Sequence, residues 1–236
     1  RKDQTNSKDV VKQYDILIDA RHNDYGTTSK LTYKGLVFNN VVLSQAGYLF
    51  HAGNGVEVKM TNVSFLDFRR IGYWVDRRGR VNNTGKADFI NCLFKLRPET
   101  DGFKHSFDFR AISFDAGNTE YPIVLDLDKS TVKHSRFEHT GIALSRCHNM
   151  VIDDSDFLDR EGLVDQVHIE EFSHNVSILG NTFDCGGPNE FMRTKIIVID
   201  RELQLSKDIL IDNNTIKNDY NFFISSYSVE DITITN

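Results

Sequence analysis

Apolar and polar positions alternate in short runs that return along this chain in the same arrangement. In residues 175–183, Asn-Val-Ser-Ile-Leu-Gly-Asn-Thr-Phe, a turn-prone Asn175 begins a short strand whose alternate residues, Val176 and Ile178, are apolar. Phe183 follows eight positions after Asn175, and residues 147–157 and 206–216 repeat the plan. Alternation over so few residues predicts β-strands rather than helices.

Counting eight residues back from each apolar anchor predicts nine copies of this unit, the last of them cut off by the end of the sequence. The anchors are Leu43, Phe65, Phe94, Phe114, Phe137, Phe157, Phe183 and Ile216. The matching first positions are Gly35, Glu57, Lys86, Ser106, Lys129, Asn149, Asn175, Asp208 and Asp231. Successive copies are 20 to 33 residues apart, and periods of about 20–50 residues indicate a solenoid, a propeller or an array.

The length of the period selects among these architectures. A propeller blade needs roughly 40 residues, and the Leu-x-x-Leu-x-Leu framework of leucine-rich repeats is missing. We therefore predict an all-β parallel β-helix of about nine coils, with a stacked aromatic ladder and left-handed Asn or Asp turns. Residues 1–34 are predicted to form an N-terminal cap and first strand, and residues 35–236 the β-helix. No cap is visible after Asn236, so further sequence or a partner subunit is expected there.

A second strand is predicted just before most copies, and these strands should stack into another parallel sheet. The segments are residues 47–51, 71–75, 123–127, 141–144, 166–170, 195–199 and 222–224. Long insertions between the motif and this strand are expected to build a groove on one side of the solenoid.

The pattern Asn-Val-x-Ile-x-x-Asn-x-Phe of residues 175–183 resembles that of the pectate-lyase-like superfamily, and the resemblance extends over residues 35–236. It implies a single-stranded right-handed β-helix and, most often, a polysaccharide or oligosaccharide ligand handled outside the cell or on a virion surface. The paired aspartates of polygalacturonases and the Asp-Pro-His motif of mannuronan epimerases are missing. Activity therefore stays open among lyase, glycoside hydrolase and non-catalytic tailspike or adhesin.

Composition excludes several other classes of function. No apolar run approaches the roughly 18 residues of a membrane span. A net charge of −6 with scattered basic residues argues against nucleic-acid binding. Cys92, Cys147 and Cys185 lack the close spacing of a zinc site, and no cofactor is predicted, although acidic residues leave calcium open. The oligomeric state also stays open.

Candidate chemistry falls on the predicted strand of residues 166–170. With Val167 and Ile169 facing the core, Gln166, His168 and Glu170 should share the solvent face. This alternation would set an imidazole beside a carboxylate on the outside of the solenoid.

Neighbouring coils are predicted to add charged side chains at matching positions. Arg146 lies one coil earlier, Lys195 and Asp200 one coil later. These three residues complete the predicted catalytic set with His168 and Glu170. The predicted substrate-binding residues are Gln166, His139, Arg201, Asp165 and Trp74. Such a row suits recognition of an acidic sugar.

Two enzyme chemistries are compatible with this set. In a lyase His168 would be the base, and Arg146, Lys195 or Arg201 would neutralise the uronate carboxylate. In a glycoside hydrolase Glu170 would pair with Asp200 or with Asp165. The alternative to both is a non-catalytic, glycan-binding or structural β-helix with an ordinary solvated charged face.

Overall fold

Three parallel sheets run the length of the molecule. The computed structural model describes residues 15–20, 34–53, 56–75, 85–103, 109–115, 125–159, 165–185, 195–200, 205–217, 222–227 and 229–236. Every ladder between the strands of these residues is parallel. The fold is a right-handed parallel β-helix, as the repeat predicted, and none of the described residues forms a helix able to cross a membrane.

Each coil contributes one strand to each sheet in turn, with strands numbered along the chain. Sheet A contains β1 (Ile16–Ala20), β4 (Tyr48–Ala52), β7 (Ile71–Val75), β10 (Arg110–Asp115), β13 (Ile142–Ser145), β16 (Val167–Glu170), β19 (Lys195–Asp200) and β22 (Phe222–Ser226). Sheet B contains β2 (Leu36–Asn39), β5 (Glu57–Thr61), β8 (Lys86–Ile90), β11 (Leu125–Lys133), β14 (Cys147–Asp153), β17 (His174–Leu179), β20 (Ser206–Asp212) and β23 (Val229–Thr235). Sheet C contains β3 (Val42–Ser44), β6 (Ser64–Phe68), β9 (Leu93–Leu96), β12 (Arg136–Glu138), β15 (Asp156–Asp159), β18 (Thr182–Cys185) and β21 (Thr215–Ile216).

The predicted aromatic ladder forms the centre of sheet C. Phe94 and Phe137 stack with ring centroids 5.0 Å apart, and Phe137 and Phe157 follow at 4.5 Å. Phe65 and Phe183 extend the stack at its two ends. All five rings are fully buried, so the ring of each coil covers the apolar interior of the neighbouring coil.

Turn residues adopt the left-handed backbone that the repeated Asn and Asp positions predict. The turn from sheet B to sheet C has a positive φ in successive coils, at Asn40, Asn62, Asn91, His134, Asp154, Gly180 and Asn213. The first position of the motif also has one at Asn149, Asn175, Asp208 and Asp231. Amide side chains link coils directly: Asn175 Nδ2 donates to Asn149 Oδ1 at 2.5 Å. These residues are scaffold.

The described part of the chain has eight coils rather than nine, because one predicted copy does not exist. Phe114 was assigned to the ladder with Ser106 as its first position, but Phe114 lies in β10 of sheet A. There it pairs with Val75 and Leu144. Phe94 stacks directly on Phe137 in the ladder.

The same coil accounts for a second misassigned strand. Residues 125–127 were predicted to belong with the strands of sheet A, but they begin β11 in sheet B. Each of the other predicted segments overlaps a strand of sheet A. In the N-terminal region, β1 pairs with β4. The predicted cap falls on residues 1–14 and 21–33, outside the described residues.

Candidate functional site

The outer face of β16 carries His168 and Glu170, as the alternation predicted. Val167 and Ile169 are fully buried in the core, and the other two side chains keep part of their surface exposed. His168 is held tightly, with only 14% of its side chain exposed, whereas Glu170 is 46% exposed. Glu170 is therefore accessible to a ligand, whereas His168 mainly contacts neighbouring side chains of the protein.

Carboxylates contact both nitrogens of the His168 ring. Nδ1 lies 3.1 Å from Asp165 Oδ2, and Nε2 lies 3.1 Å from Glu170 Oε1. Asp200, on the next coil, brings its Oδ2 to 3.9 Å from Nε2. An imidazole that donates to a carboxylate from each nitrogen carries hydrogen on both, and the Nδ1 atom of His168 also lies 3.4 Å from Arg110 Nη2.

The charge of His168 follows from these contacts. Burial by itself lowers the pKa of His168, but the hydrogen bonds to Asp165 and Glu170 outweigh burial and raise the pKa to about 9. Arg110, as a second cation beside the ring, opposes the increase. The imidazole is therefore protonated at neutral pH. The prediction that it acts as a base requires the neutral ring, so this geometry does not support that role.

This protonation is measurable as an effect of pH on stability. The folded-state pKa of about 9 exceeds the ordinary histidine value of 6.5. The protonated ring therefore stabilises the fold fully below pH 6.5, and that contribution disappears as pH rises through about 9. We expect the unfolding free energy of wild type minus that of His168→Gln to fall across this interval. Urea titrations at several pH values measure it, and a difference independent of pH would contradict the assignment.

Arg110 completes the cluster and was not among the predicted site residues. Its buried guanidinium donates from Nη1 to the backbone oxygen of Asp165 at 2.6 Å, and its Nη2 lies 3.8 Å from Asp165 Oδ2. Between the two residues lies Gly141, where a Cβ would collide with the backbone oxygens of Asp165 and Gln166. Glycine at position 141 lets Asp165 approach closely, so that Asp165 contacts both Arg110 and His168.

Glu170 and Asp200 form the pair of accessible carboxylates. They are register partners on β16 and β19, and their side chains are 46% and 43% exposed. Both approach the same nitrogen of His168, so their nearest oxygens can be separated by no more than about 7 Å, the two contact distances combined. Separations of roughly 5 to 9.5 Å are those used by paired carboxylates in glycoside hydrolysis.

Gln166 does not share the predicted solvent face. Its side chain is buried, and Nε2 donates to Asp159 Oδ2 at 3.2 Å. His139 approaches the same carboxylate, with Nδ1 3.6 Å from Asp159 Oδ1. Gln166 precedes β16, at a bend where strand alternation does not apply. The buried Asp159 thus connects two predicted substrate-binding residues, and of these only His139 keeps substantial exposure.

Arg146 is not on the predicted outer row either. It lies in the turn from sheet A to sheet B with a φ of 54°, and its side chain is 3% exposed. Nε donates to Glu171 Oε2 at 2.7 Å, and Glu171 is also buried. A guanidinium enclosed with its own carboxylate is structural, and breaking such a pair is strongly destabilising.

Of the three remaining predicted residues, two have side chains outside the described residues, and one lies on sheet A. Lys195 begins β19, but its side chain falls outside the described residues, as does all of Arg201. Trp74 lies on the outer face of β7 and stacks on His51 with ring centroids 4.0 Å apart. Tyr73, its neighbour, is buried in the core against Phe50.

A concave region lies apart from these residues. This cleft of about 480 Å³ is lined by Gln45, Asp67, Arg97, Pro98 and Thr100. It contains none of the predicted site residues. Within the described ranges, no group of three or more His, Cys, Asp or Glu residues is arranged to hold a metal ion.

Two of the three cysteines have side chains buried away from solvent. Cys92 and Cys147 lie in the core, and burial raises the pKa of Cys92 to about 11. The Cys92 thiol is therefore neutral at physiological pH, and both cysteines pack in the core. The side chain of Cys185 is outside the described residues.

Comparison with known proteins adds no relative to this picture. No family model matches the chain, and neither the curated proteins nor the solved structures compared with it give a match.

Proposed function

We propose that this protein is a carbohydrate-active β-helix that hydrolyses a glycosidic bond on the outer face of sheet A. The observation that carries the proposal is the pair of half-exposed carboxylates, Glu170 and Asp200, in register on neighbouring coils beside one protonated imidazole. The upper bound of about 7 Å on the separation of their nearest oxygens is compatible with a carboxylate pair that flanks a scissile bond. The resemblance to the pectate-lyase-like superfamily supports a glycan ligand and an extracellular or virion-surface location.

In this mechanism one carboxyl group protonates the glycosidic oxygen, and the other removes a proton from water or attacks the anomeric carbon. The ring of His168 lies closer to Glu170, at 3.1 Å, than to Asp200, at 3.9 Å. A hydrogen bond from imidazolium favours the ionised form of its acceptor. Glu170 is therefore proposed as the base or nucleophile and Asp200 as the proton donor. His168 is a positioning residue, fixed by Asp165 on its other nitrogen.

Hydrolysis is favoured over elimination for a physical reason. A lyase needs an unprotonated base next to the sugar carboxylate and a cation to neutralise that carboxylate. His168 is protonated, and Arg110 and Arg146 are already paired with Asp165 and Glu171. Among the described side chains, His168 and Arg146 therefore do not fit the lyase roles predicted for them, and the side chains of Lys195 and Arg201 lie outside the described residues.

The second candidate is a glycan-binding or structural β-helix without catalysis. It is favoured by the aromatic stack of Trp74 and Tyr48 on the same outer face, with ring centroids 5.1 Å apart. Partly exposed aromatic rings on a rigid sheet bind sugars whether or not a reaction follows. This reading needs no chemistry from Glu170 or Asp200.

The decisive experiment incubates the purified chain with a panel of neutral and uronate-containing polysaccharides. Released reducing ends report any cleavage, and the ultraviolet absorbance of unsaturated products reports elimination specifically. We expect new reducing ends without that absorbance. Unsaturated products would overturn hydrolysis in favour of a lyase, and binding without any product would favour the second candidate.

A further inference from the structure

One column of outward side chains on sheet A has two small residues between larger rings. The register between strands aligns His51 with Trp74, Trp74 with Ser113, Ser113 with Ala143, and Ala143 with His168. The two small residues therefore lie between an aromatic ring and the ring of His168. Neighbouring strands are about 4.8 Å apart, so three spacings separate Trp74 from His168 by roughly 14 Å.

The Trp74 ring has one covered face and one that points into this gap. His51 stacks on it at 4.0 Å with an interplanar angle of 16°, and Tyr48 also stacks on it, at 5.1 Å and 26°. Both partners come from β4, the strand on the N-terminal side of Trp74. The opposite face is directed toward the next strand, where the register partner is Ser113. Trp74, Ser113 and Ala143 each keep part of their surface exposed.

From this arrangement we infer that the notch between Trp74 and His168, floored by Ser113 and Ala143, is a subsite for one uncharged pyranose ring. The sugar would stack its C–H face on Trp74, as apolar groups do in contact at about 4 Å. Its hydroxyls would face the Ser113 hydroxyl and the edge of the charged cluster. His168 forms the far wall of the notch, and its Nε2 lies 3.1 Å from Glu170 Oε1.

The charge of the cluster selects the class of sugar. Among the described side chains that meet around His168, Asp165, Glu170 and Asp200 are carboxylates, and Arg110 and His168 are the cations. The excess negative charge repels a sugar carboxylate, and so favours a neutral glycan over a uronate. This assignment of substrate class rests on the proposed function, whereas stacking on Trp74 does not require that any bond be cleaved.

Trp74 is the single tryptophan of the chain, so its fluorescence reports on this notch alone. The test mixes wild type rapidly with neutral hexasaccharides of glucose, mannose, galactose or N-acetylglucosamine, and with hexagalacturonate. We expect at least one neutral hexasaccharide to shift or quench the emission saturably and hexagalacturonate to leave it unchanged. Ala143→Phe, which fills the floor, should weaken binding of that hexasaccharide at least about tenfold.

Ser177→Phe is the matched control, since it places the same ring on the outer face of sheet B, and it should bind like wild type. Circular dichroism verifies that both variants fold. Three results overturn the subsite: emission unchanged by every neutral hexasaccharide, binding that survives Ala143→Phe, or a response to hexagalacturonate alone. Cleavage without any emission change rejects the subsite but keeps hydrolysis, whereas an emission change without cleavage rejects hydrolysis but keeps the subsite.

Discussion

Replacing Glu170 by Gln is expected to lower kcat for glycan hydrolysis by about three orders of magnitude with little change in KM. Gln keeps the size of the side chain but can neither accept the proton of the attacking water nor attack the sugar, and such groups contribute roughly 10²–10⁴-fold. Asp200→Asn removes the proton donor and should reduce kcat comparably. Initial rates of reducing-end formation over a range of substrate concentrations separate kcat from KM.

The double variant tests whether the two carboxylates act together on one bond or contribute independently. If Glu170 and Asp200 act on one bond, Glu170→Gln/Asp200→Asn should be scarcely slower than either single variant, because groups that act as a unit are not additive. Asp156→Asn is the matched control, since this exposed carboxylate lies on β15 of sheet C, and it should keep wild-type rates. Full activity in both single variants would exclude this pair as the catalytic residues.

The core of the candidate site was predictable because a β-strand imposes a fixed alternation of faces. Val167 and Ile169 mark the buried side of β16, which leaves His168 and Glu170 outside. The repeat then aligns the neighbouring strand, and so brings Asp200 beside Glu170. Inside a regular strand, a hydrophobic pattern and a period are enough to place side chains together.

The alternation stops where strands end, and the predictions that failed lie there. Gln166 precedes β16 at a bend, and Arg146 occupies a left-handed turn, so both side chains are buried against carboxylates instead of facing solvent. Which carboxylate meets each of them depends on the path of the turn. That path is tertiary information that no periodicity carries.

Arg110 was missed for a different reason, which lies in the length of its coil. The first positions Lys86 and Lys129 are successive coils in the structure, since β8 and β11 pair directly. The 43 residues between them were read as two coils because Phe114 has the spacing of a ladder anchor. A correct division would have set β10 in sheet A, with Arg110 at its start, two strands from His168.

The largest effect on stability is expected at the middle of the ladder. Phe137→Ala should lower the free energy of unfolding by about 3–5 kcal/mol, the range for truncating a buried aromatic residue. Phe94 and Phe157 stack on its two faces with centroids 5.0 and 4.5 Å away. Both neighbours are anchored in hydrogen-bonded strands, so the cavity cannot close by collapse. Urea denaturation followed by circular dichroism measures the loss.

Two further variants test whether the loss of stability depends on the volume removed and on the position along the ladder. Phe137→Leu refills most of the space and should cost less than about 1.5 kcal/mol. Ile216→Ala truncates the last rung of the same ladder, where the side chain is 37% exposed, and should cost about 1 kcal/mol. Equal losses for Phe137→Ala and Ile216→Ala would mean that position along the stack does not matter. Because a solenoid is stabilised by contacts between neighbouring coils, an interior rung with two buried faces should matter more than a terminal one.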